Sequence, residues 1–275
     1  MAMAYETILY EQRGAVALLT LNRPERLNAM NTAMLRDLNL AMDAAEADAG
    51  VRAIALAAAG KGFCSGFDLK EQAAARPSGV AQWRPRLQRD FDTIMRFWHS
   101  PKPTVAAVRG SALAGGCELA LACDITIAAE DAVFGEPELR FGAGIVVMLL
   151  PWLTGPKRAK QLLLTGDDTL PAQRAEAMGL INEVVPAGEE LTRALTIAGD
   201  LAMMDAMAVR ETKRAINQSY EIMGMGEALA AALDIDLLIE GEGTADKRQF
   251  MDILRRDGLR AALAWRDARF AAKQS

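Results

Sequence analysis

The first two thirds of the chain alternate short apolar runs with longer stretches in which apolar residues recur at helical spacing. The apolar runs predict buried strands, because turn residues or glycine-bearing loops bound them. Asn31 predicts the N-cap of a helix that reaches about residue 48. A further helix is predicted over residues 87–98, and the polar, proline-containing segment 71–85 is expected to be mobile. The predicted strands are residues 16–21, 52–57, 103–108 and 124–128. This alternation predicts the α/β class.

From about residue 191 onward the strand pattern disappears and helical spacing continues. Residues 227–239 and 251–270 predict amphipathic helices. We therefore predict two parts, a core over residues 1–198 and a helical region over residues 199–275. The helical region either assembles copies of the chain or packs on its own core, and periodicity does not separate these two possibilities.

Composition excludes several classes of function. The 275 residues carry a net charge of −5 with scattered lysines and arginines, which argues against a nucleic-acid-binding surface. Three cysteines, with no CxxC pair, argue against a disulfide framework. One histidine makes a zinc site of the His/Cys type improbable. The apolar stretches are too short or too interrupted to span a bilayer, so we expect a soluble cytoplasmic protein.

Two glutamates stand out as candidates for chemistry. Glu118 closes the segment Gly110-Ser-Ala-Leu-Ala-Gly-Gly-Cys-Glu118, and Glu138 closes Phe134-Gly-Glu-Pro-Glu138. The predicted strand over residues 124–128 lies between them. Two carboxylates at one glycine-lined surface can move protons on both sides of a bond. This pair makes the chain an enzyme candidate.

Two glycine-rich loops, residues 60–66 and 110–116, follow predicted strands. Glycine lets a ligand approach backbone N–H groups, and the second loop enters a predicted helix whose first N–H groups are free. One N–H group from each loop, aimed at a single carbonyl oxygen, would form an oxyanion hole. Neither loop matches the GxGxxG or GxxxxGK[ST] phosphate-binding patterns, and the chain has no GxSxG nucleophile motif.

Taken together, these segments resemble the crotonase family, also called the enoyl-CoA hydratase/isomerase family. The resemblance covers nearly the whole chain, in several blocks that occur in the family's order. The blocks are Leu21-Asn-Arg-Pro-Glu-Arg-Leu-Asn-Ala-Met, Phe63-Cys-Ser-Gly-Phe-Asp-Leu-Lys-Glu, Lys102-Pro-Thr-Val-Ala-Ala-Val-Arg-Gly, Ala114-Gly-Gly-Cys-Glu-Leu-Ala-Leu-Ala-Cys-Asp, Phe134-Gly-Glu-Pro-Glu and Ala175-Glu-Ala-Met-Gly-Leu-Ile-Asn-Glu-Val-Val-Pro.

The resemblance implies a crotonase-like spiral of ββα units and a helical C-terminal region that builds homotrimers or homohexamers. It implies coenzyme A thioesters as substrates, with a place in fatty acid metabolism, and no metal or redox cofactor. By motif position, the backbone N–H groups of Ser65 and Gly115 would hold the thioester oxygen. Glu118 would orient or deprotonate a water molecule, and Glu138 would deliver a proton to Cα of a 2-enoyl group.

The same resemblance implies a second set of residues that contact the substrate and its coenzyme A moiety. These are Arg23, Arg26, Leu27, Ala29, Gly66, Phe67, Asp68 and Leu69. The arginines would meet the negative charges of coenzyme A, whereas Asp68 is better suited to organising the backbone of its own loop.

One block departs from the pattern of family hydratases. Val146 and Val147 stand where glycines would line the water and acyl site, so we expect a reshaped, more apolar pocket. The leading prediction is an enoyl-CoA hydratase. The alternatives are an enoyl-CoA isomerase or another crotonase-type reaction, and a catalytically silent scaffold that binds coenzyme A thioesters.

Overall fold

The computed structural model describes residues 5–271. Within them are nine strands, twelve helices and two short 3-10 turns, Pro24–Arg26 and Glu138–Phe141. The strands are β1 Ile8–Arg13, β2 Val16–Leu21, β3 Ala53–Ala58, β4 Thr104–Val108, β5 Ser111–Leu113, β6 Ile125–Ala129, β7 Val133–Gly135, β8 Leu170–Pro171 and β9 Glu183–Val185. The helices are α1 Thr32–Ala47, α2 Leu69–Ala75, α3 Gly79–His99, α4 Gly115–Leu121, α5 Leu150–Thr154, α6 Pro156–Thr165, α7 Ala172–Ala177, α8 Glu190–Met203, α9 Ala206–Ile222, α10 Met225–Glu242, α11 Ala245–Asp257 and α12 Leu259–Ala271.

The strands predicted from the apolar runs are confirmed, each within one residue at either end. Helix α1 is also confirmed, because the Asn31 side chain accepts a hydrogen bond from the Met34 amide at 2.9 Å. The prediction of a mobile segment over residues 71–85 is wrong. Those residues lie mostly in α2 and α3, and α3 holds Pro85 in its interior. The buried side chains of Trp83 and Leu87 pack α3 into the core, a contact that local composition does not reveal.

A six-stranded sheet forms the centre of the fold, in the order β1-β2-β3-β4-β6-β9. Only β1 and β2 are antiparallel; the other neighbours are parallel. Strands β3 and β4 are buried almost throughout, as parallel strands covered on both faces require. Helix α8 covers one face through Ala194 and Ala198, while α1 and α3 belong to the main core on the other.

The loops at the carboxyl ends of these strands stack on one another. Single parallel bridges join Met30 to Phe67 and Cys64 to Ala112. A second sheet, β5-β7-β8, continues this stack, with β5 parallel to β7. Each pass of the chain therefore lies on the previous one, in the predicted spiral, and successive loops meet at one edge.

The C-terminal helices fold back over that edge. Helix α10 packs on α3, and α11 packs on α2. Helix α9, in contrast, has no buried residue. The predicted boundary between residues 198 and 199 falls inside α8, which belongs to the sheet packing, so the helices that leave the core begin only with α9. The outer ends of both predicted parts, residues 1–4 and 272–275, lie outside the described residues. None of the helices between residues 5 and 271 combines the length and apolar character needed to cross a bilayer.

Candidate active site

The pairing of β5 with β7 sets the positions of the two candidate glutamates. In this parallel pair, Leu113 lies opposite Gly135, and both strands end there. Chain leaving β5 enters α4, whose first turn carries Glu118, and chain leaving β7 enters the 3-10 turn that begins with Glu138. Because parallel strands end at the same edge of a sheet, both glutamates emerge on one side of the molecule.

Glu118 is fully buried and held on one side. Its Oε1 accepts a hydrogen bond from the Val147 amide at 2.8 Å, and Oε2 has no partner among residues 5–271. Burial raises the pKa of Glu118 well above its ordinary value, and the negative charge of Glu138 raises it further. The two carboxyl groups are therefore close enough to influence each other's proton.

Glu138 lies on the wall of a cavity of about 390 Å³ that also reaches Phe67, Val146 and Ala114. Its Oε2 has no hydrogen-bond partner in the described part of the chain. Burial raises the pKa of Glu138 to about 8. Glu118 is not part of the cavity wall formed by residues 5–271. Glu138, which faces the cavity, is therefore suited to hold a proton at neutral pH.

The structure contradicts the predicted use of the Ser65 amide. The Ser65 nitrogen donates to the Leu27 carbonyl at 3.0 Å, so this N–H group is not free for a substrate oxygen. Within residues 5–271, the amides of Phe67 and Gly115 donate to no protein acceptor. A Cβ atom built on Gly66 would lie 3.4 Å from the Gly115 nitrogen, so the two loops are in contact. Phe67 therefore replaces Ser65 as the partner of Gly115 in a candidate oxyanion hole.

Strained backbone fixes the direction of the Gly115 N–H group. Ala114 has φ 55° and ψ −136°, a conformation that costs a residue with a side chain about 1–3 kcal/mol. Hydrogen bonds hold it there: the Ala114 amide donates to the Gly135 carbonyl at 2.8 Å, and its carbonyl accepts from the Cys117 and Glu118 amides at 2.8 and 3.1 Å. Strain held this way is typical of functional sites.

Arg23 is not on the cavity wall formed by residues 5–271, so its predicted contact with the substrate finds no support there. Its guanidinium group forms an ion pair with Asp68 at 3.0 Å and donates to the Ala29 carbonyl. Asp68 in turn caps α2 by accepting from the Lys70 and Glu71 amides at 3.0 and 3.2 Å. Asp68 therefore organises the loop, as proposed from the sequence, and Arg23 is its partner.

Asn28 binds the backbone of the same region through its side chain, and it was not among the site residues predicted from the sequence. Its side chain is fully buried, accepts from the Arg23 amide at 2.8 Å and donates to the carbonyls of Ala59 and Gly62 at 2.9 and 3.0 Å. Asn28 also has φ 53°, which asparagine tolerates better than most residues. The only sign of this role in the sequence is that an asparagine follows the Asn-Arg-Pro turn.

Most of the other predicted binding residues line the cavity. Arg26 lies on its wall together with Lys70, and within residues 5–271 neither side chain forms an ion pair with a carboxylate. Gly66 does not line it and acts through the close contact described above. The predicted residues on the wall are Arg26, Leu27, Ala29, Ser65, Phe67, Asp68, Leu69 and Glu138.

A third glutamate, Glu136, precedes Glu138 by two residues, and it was not among the site residues predicted from the sequence. It is fully buried, and neither carboxyl oxygen has a hydrogen-bond partner within the described residues. Burial raises the pKa of Glu136 well above its ordinary value, and the charges of Glu138 and Glu118 raise it further. The three carboxyl groups are buried, and none of them forms an ion pair within residues 5–271, so burial disfavours the charged form of each.

A model of the enoyl-CoA hydratase/isomerase family matches residues 11–251. The chain belongs to the enoyl-CoA hydratase/isomerase family. Among similar proteins, it is 38% identical over 229 residues to a probable enoyl-CoA hydratase of Mycobacterium bovis, covering 80% of this chain and 84% of that protein. It is 35% identical to a crotonyl-CoA hydratase of Syntrophomonas wolfei, covering 98% of this chain and all of the other.

Members of this family have also been solved. A crystal structure of an enoyl-CoA hydratase/isomerase from Xanthobacter autotrophicus Py2 matches with a TM-score of 0.95 and 61% identity, covering 97% of this chain and 99% of the other. An enoyl-CoA hydratase structure from Mycobacterium smegmatis matches with a TM-score of 0.88 and 29% identity, covering 96% of this chain and 94% of the other. The crotonase-type α/β fold is therefore shared along almost the whole chain.

Proposed function

We propose that this family member is a 2-enoyl-CoA hydratase, which adds water across the 2,3 double bond of an enoyl-CoA thioester. The observation that carries the proposal is the pair Glu118 and Glu138, which follow neighbouring parallel strands and lie beside two free amides. The relatives named hydratases support the same reaction.

The amides of Phe67 and Gly115 bind the thioester carbonyl oxygen. By withdrawing electron density, they make Cβ of the enoyl group electrophilic and stabilise the enolate that forms when water adds. Removing one such donor typically costs roughly 3–4 kcal/mol of transition-state stabilisation. This role needs no metal ion or redox cofactor, because the backbone dipoles polarise the carbonyl in place of a Lewis acid.

The two glutamates divide the protons of the reaction. The reactive pair holds one proton, on Glu138: water attacks Cβ while the ionised Glu118, through Oε2, accepts a proton from the water, and Glu138 gives its own proton to Cα. The new C–O and C–H bonds replace the π bond, and the proton passes between the coupled carboxyl groups to restore the starting state. The pKa of Glu138, raised by burial to about 8, suits a donor at neutral pH.

The coenzyme A moiety lies toward the end of the cavity lined by Arg26 and Lys70. Both cations are available for its phosphates, because neither forms an ion pair with a carboxylate of residues 5–271. Leu27, Ala29 and Leu69 supply the apolar wall along the pantetheine arm. Arg23 takes no direct part, since Asp68 already pairs with it.

We also propose that copies of the chain assemble through α9, as homotrimers or pairs of trimers. Helix α9 has no buried residue, yet it carries Met207, Ile216 and Ile222, which are more than half exposed, and Met203 and Met223 flank it. Such a surface is typical of an interface rather than of a solvated helix. Sedimentation analysis tests this, and a monomer at micromolar concentration would contradict it. The buried, free cysteines 64, 117 and 123 are compatible with a reducing cytoplasm.

The function is tested with Glu118→Gln and Glu138→Gln, assayed on 2-enoyl-CoA thioesters of several chain lengths by mass spectrometry. Each variant should lose roughly 10²–10⁴-fold in kcat, because each removes one proton-transfer step. The exposed Glu227→Gln variant is the matched control and should keep full activity. Product heavier by one water identifies hydration; unchanged mass with a shifted double bond would identify an isomerase instead. Full activity in either active-site variant would contradict the assignments, and binding of thioesters without turnover would favour a silent scaffold.

A further inference from the structure

Helix α10 carries two acidic residues on its buried face. Leu229, Leu233 and Leu237 mark that face, which packs against α3, and Asp236 and Glu240 share it. Apolar side chains are expected at such positions, because burying a carboxylate is costly unless it is paired and hydrogen-bonded. The two acidic residues therefore need a physical explanation.

Glu240 is fully compensated within the protein. It forms an ion pair with Lys247 and accepts a hydrogen bond from the Gly144 amide at 3.2 Å. The Lys247 ammonium group also lies 4.7 Å from the centre of the Trp83 ring. These contacts make Glu240 and Lys247 a structural pair that ties α10 to α11.

Asp236 has no such compensation. It is only 2% exposed, and neither carboxyl oxygen has a hydrogen-bond partner among residues 5–271. Asp90, from α3, lies on the wall of the same cavity but is paired with Arg89 at 2.9 Å. One carboxyl group in this acidic cluster is thus left without a donor.

Asp236 faces the same cavity as Glu138 and Val146. It packs closely on Gly144, because a Cβ atom built there would lie 1.7 Å from Asp236 Oδ1 and 3.3 Å from its Cα. Only glycine at position 144 leaves room for this carboxyl group. In ligand cavities that are mostly apolar, a few placed polar groups fix the orientation of the ligand, so we expect a donor for Asp236 from the substrate.

We propose that the acyl group of the substrate bears a hydroxyl group beyond the reacting double bond, and that Asp236 binds this hydroxyl. The inference rests on the proposed function, since it describes the acyl part of an enoyl-CoA thioester. A hydroxyl is favoured over an ammonium group for two reasons. Lys247 and Arg89 already supply positive charge to the cluster. Burial also raises the pKa of Asp236 to about 7, and a hydroxyl can donate to the carboxylate or accept from the acid, whereas an ammonium group pairs only with the carboxylate.

The test compares 2-hexenoyl-CoA with its 4-, 5- and 6-hydroxy derivatives, and with a 6-amino derivative, as substrates of the full-length protein. At least one hydroxylated substrate should have a kcat/KM about tenfold or more above that of 2-hexenoyl-CoA, because a site built around a polar group disfavours a chain without it. Asp236→Leu should abolish this preference and improve turnover of the unsubstituted chain. Asp236→Asn, which keeps the shape, should retain part of the preference.

Asp234→Asn is the matched control, because Asp234 lies on the same helix but is exposed and paired with Arg84. It should leave every ratio unchanged. Equal or better turnover of 2-hexenoyl-CoA by the unmodified protein would overturn the inference while leaving the hydratase function intact. Preference for the amino derivative would overturn the hydroxyl assignment. If the protein hydrated none of these thioesters and did not hydrate crotonyl-CoA either, the proposed function itself would be refuted.

Discussion

The Glu136→Gln variant should become increasingly more stable than the unmodified protein as the pH rises. In the unfolded chain a glutamate has a pKa of about 4.3 and loses its proton above that pH. In the folded protein, burial raises the pKa of Glu136 well above this value, and the adjacent charges of Glu138 and Glu118 raise it further, so the proton stays bound. The folded state therefore holds one more proton than the unfolded state, and its stability falls with increasing pH. Glutamine has nearly the same shape and no proton to lose.

The expected magnitude follows from this one proton. Between the two pKa values, each pH unit costs the unmodified protein about 1.4 kcal/mol relative to Glu136→Gln, so the two free energies of unfolding should diverge steadily as the pH rises from 5 to 7. Equilibrium urea unfolding at pH 5, 6 and 7 measures this divergence. The exposed Glu227→Gln variant should show none. Parallel stability profiles for Glu136→Gln and the unmodified protein would refute the reasoning, since they would mean that Glu136 is ionised and compensated in the folded state.

Three further outcomes follow from the geometry of the site. Gly115→Ala should reduce kcat at least about tenfold with little loss of folded protein, because the added Cβ would lie 2.6 Å from the Phe67 ring and displace both candidate oxyanion donors. An unchanged kcat would show that these two amides do not form the oxyanion hole. Asn28→Ala should lower the free energy of unfolding by roughly 2–4 kcal/mol in urea titrations, because it leaves three backbone groups without partners. A change below about 0.5 kcal/mol would contradict the inference that these hydrogen bonds stabilise the fold. Finally, kcat/KM should fall as the pH rises above about 8, where Glu138 loses the proton that it donates; a rate that stays level up to pH 10 would remove Glu138 as the acid.

Several features of this protein could be predicted without coordinates because they depend on neighbours in the chain. The apolar runs give the strands, since a short apolar segment between turns forms a buried strand wherever its sheet lies. Asn31 caps α1 through a hydrogen bond to a residue three positions later. The two glutamates follow motifs whose glycines allow tight turns, and the order of these motifs is enough to identify the family.

The choice between similar groups within one loop could not be made in this way. Ser65 and Phe67 lie in the same loop, and motif position indicated the Ser65 amide. The carbonyl of Leu27, from a different pass of the spiral, occupies the Ser65 amide and leaves the Phe67 amide free. Arg23 likewise has the right charge for a phosphate, but Asp68 pairs with it across the same loops.

The part of the cavity lined by Asp236 and Glu240 is the clearest case of a feature that only the tertiary structure decides. Asp236 and Glu240 resemble the exposed acids of any amphipathic helix until α10 packs on α3 and turns them inward, beside Gly144 and Lys247. Propensity, capping and periodicity act over a few residues, so the sequence alone determines the elements and the motifs. Burial, pKa and the partner of each polar group depend on segments that meet only in the folded chain, and these decide which groups remain free to act on a substrate.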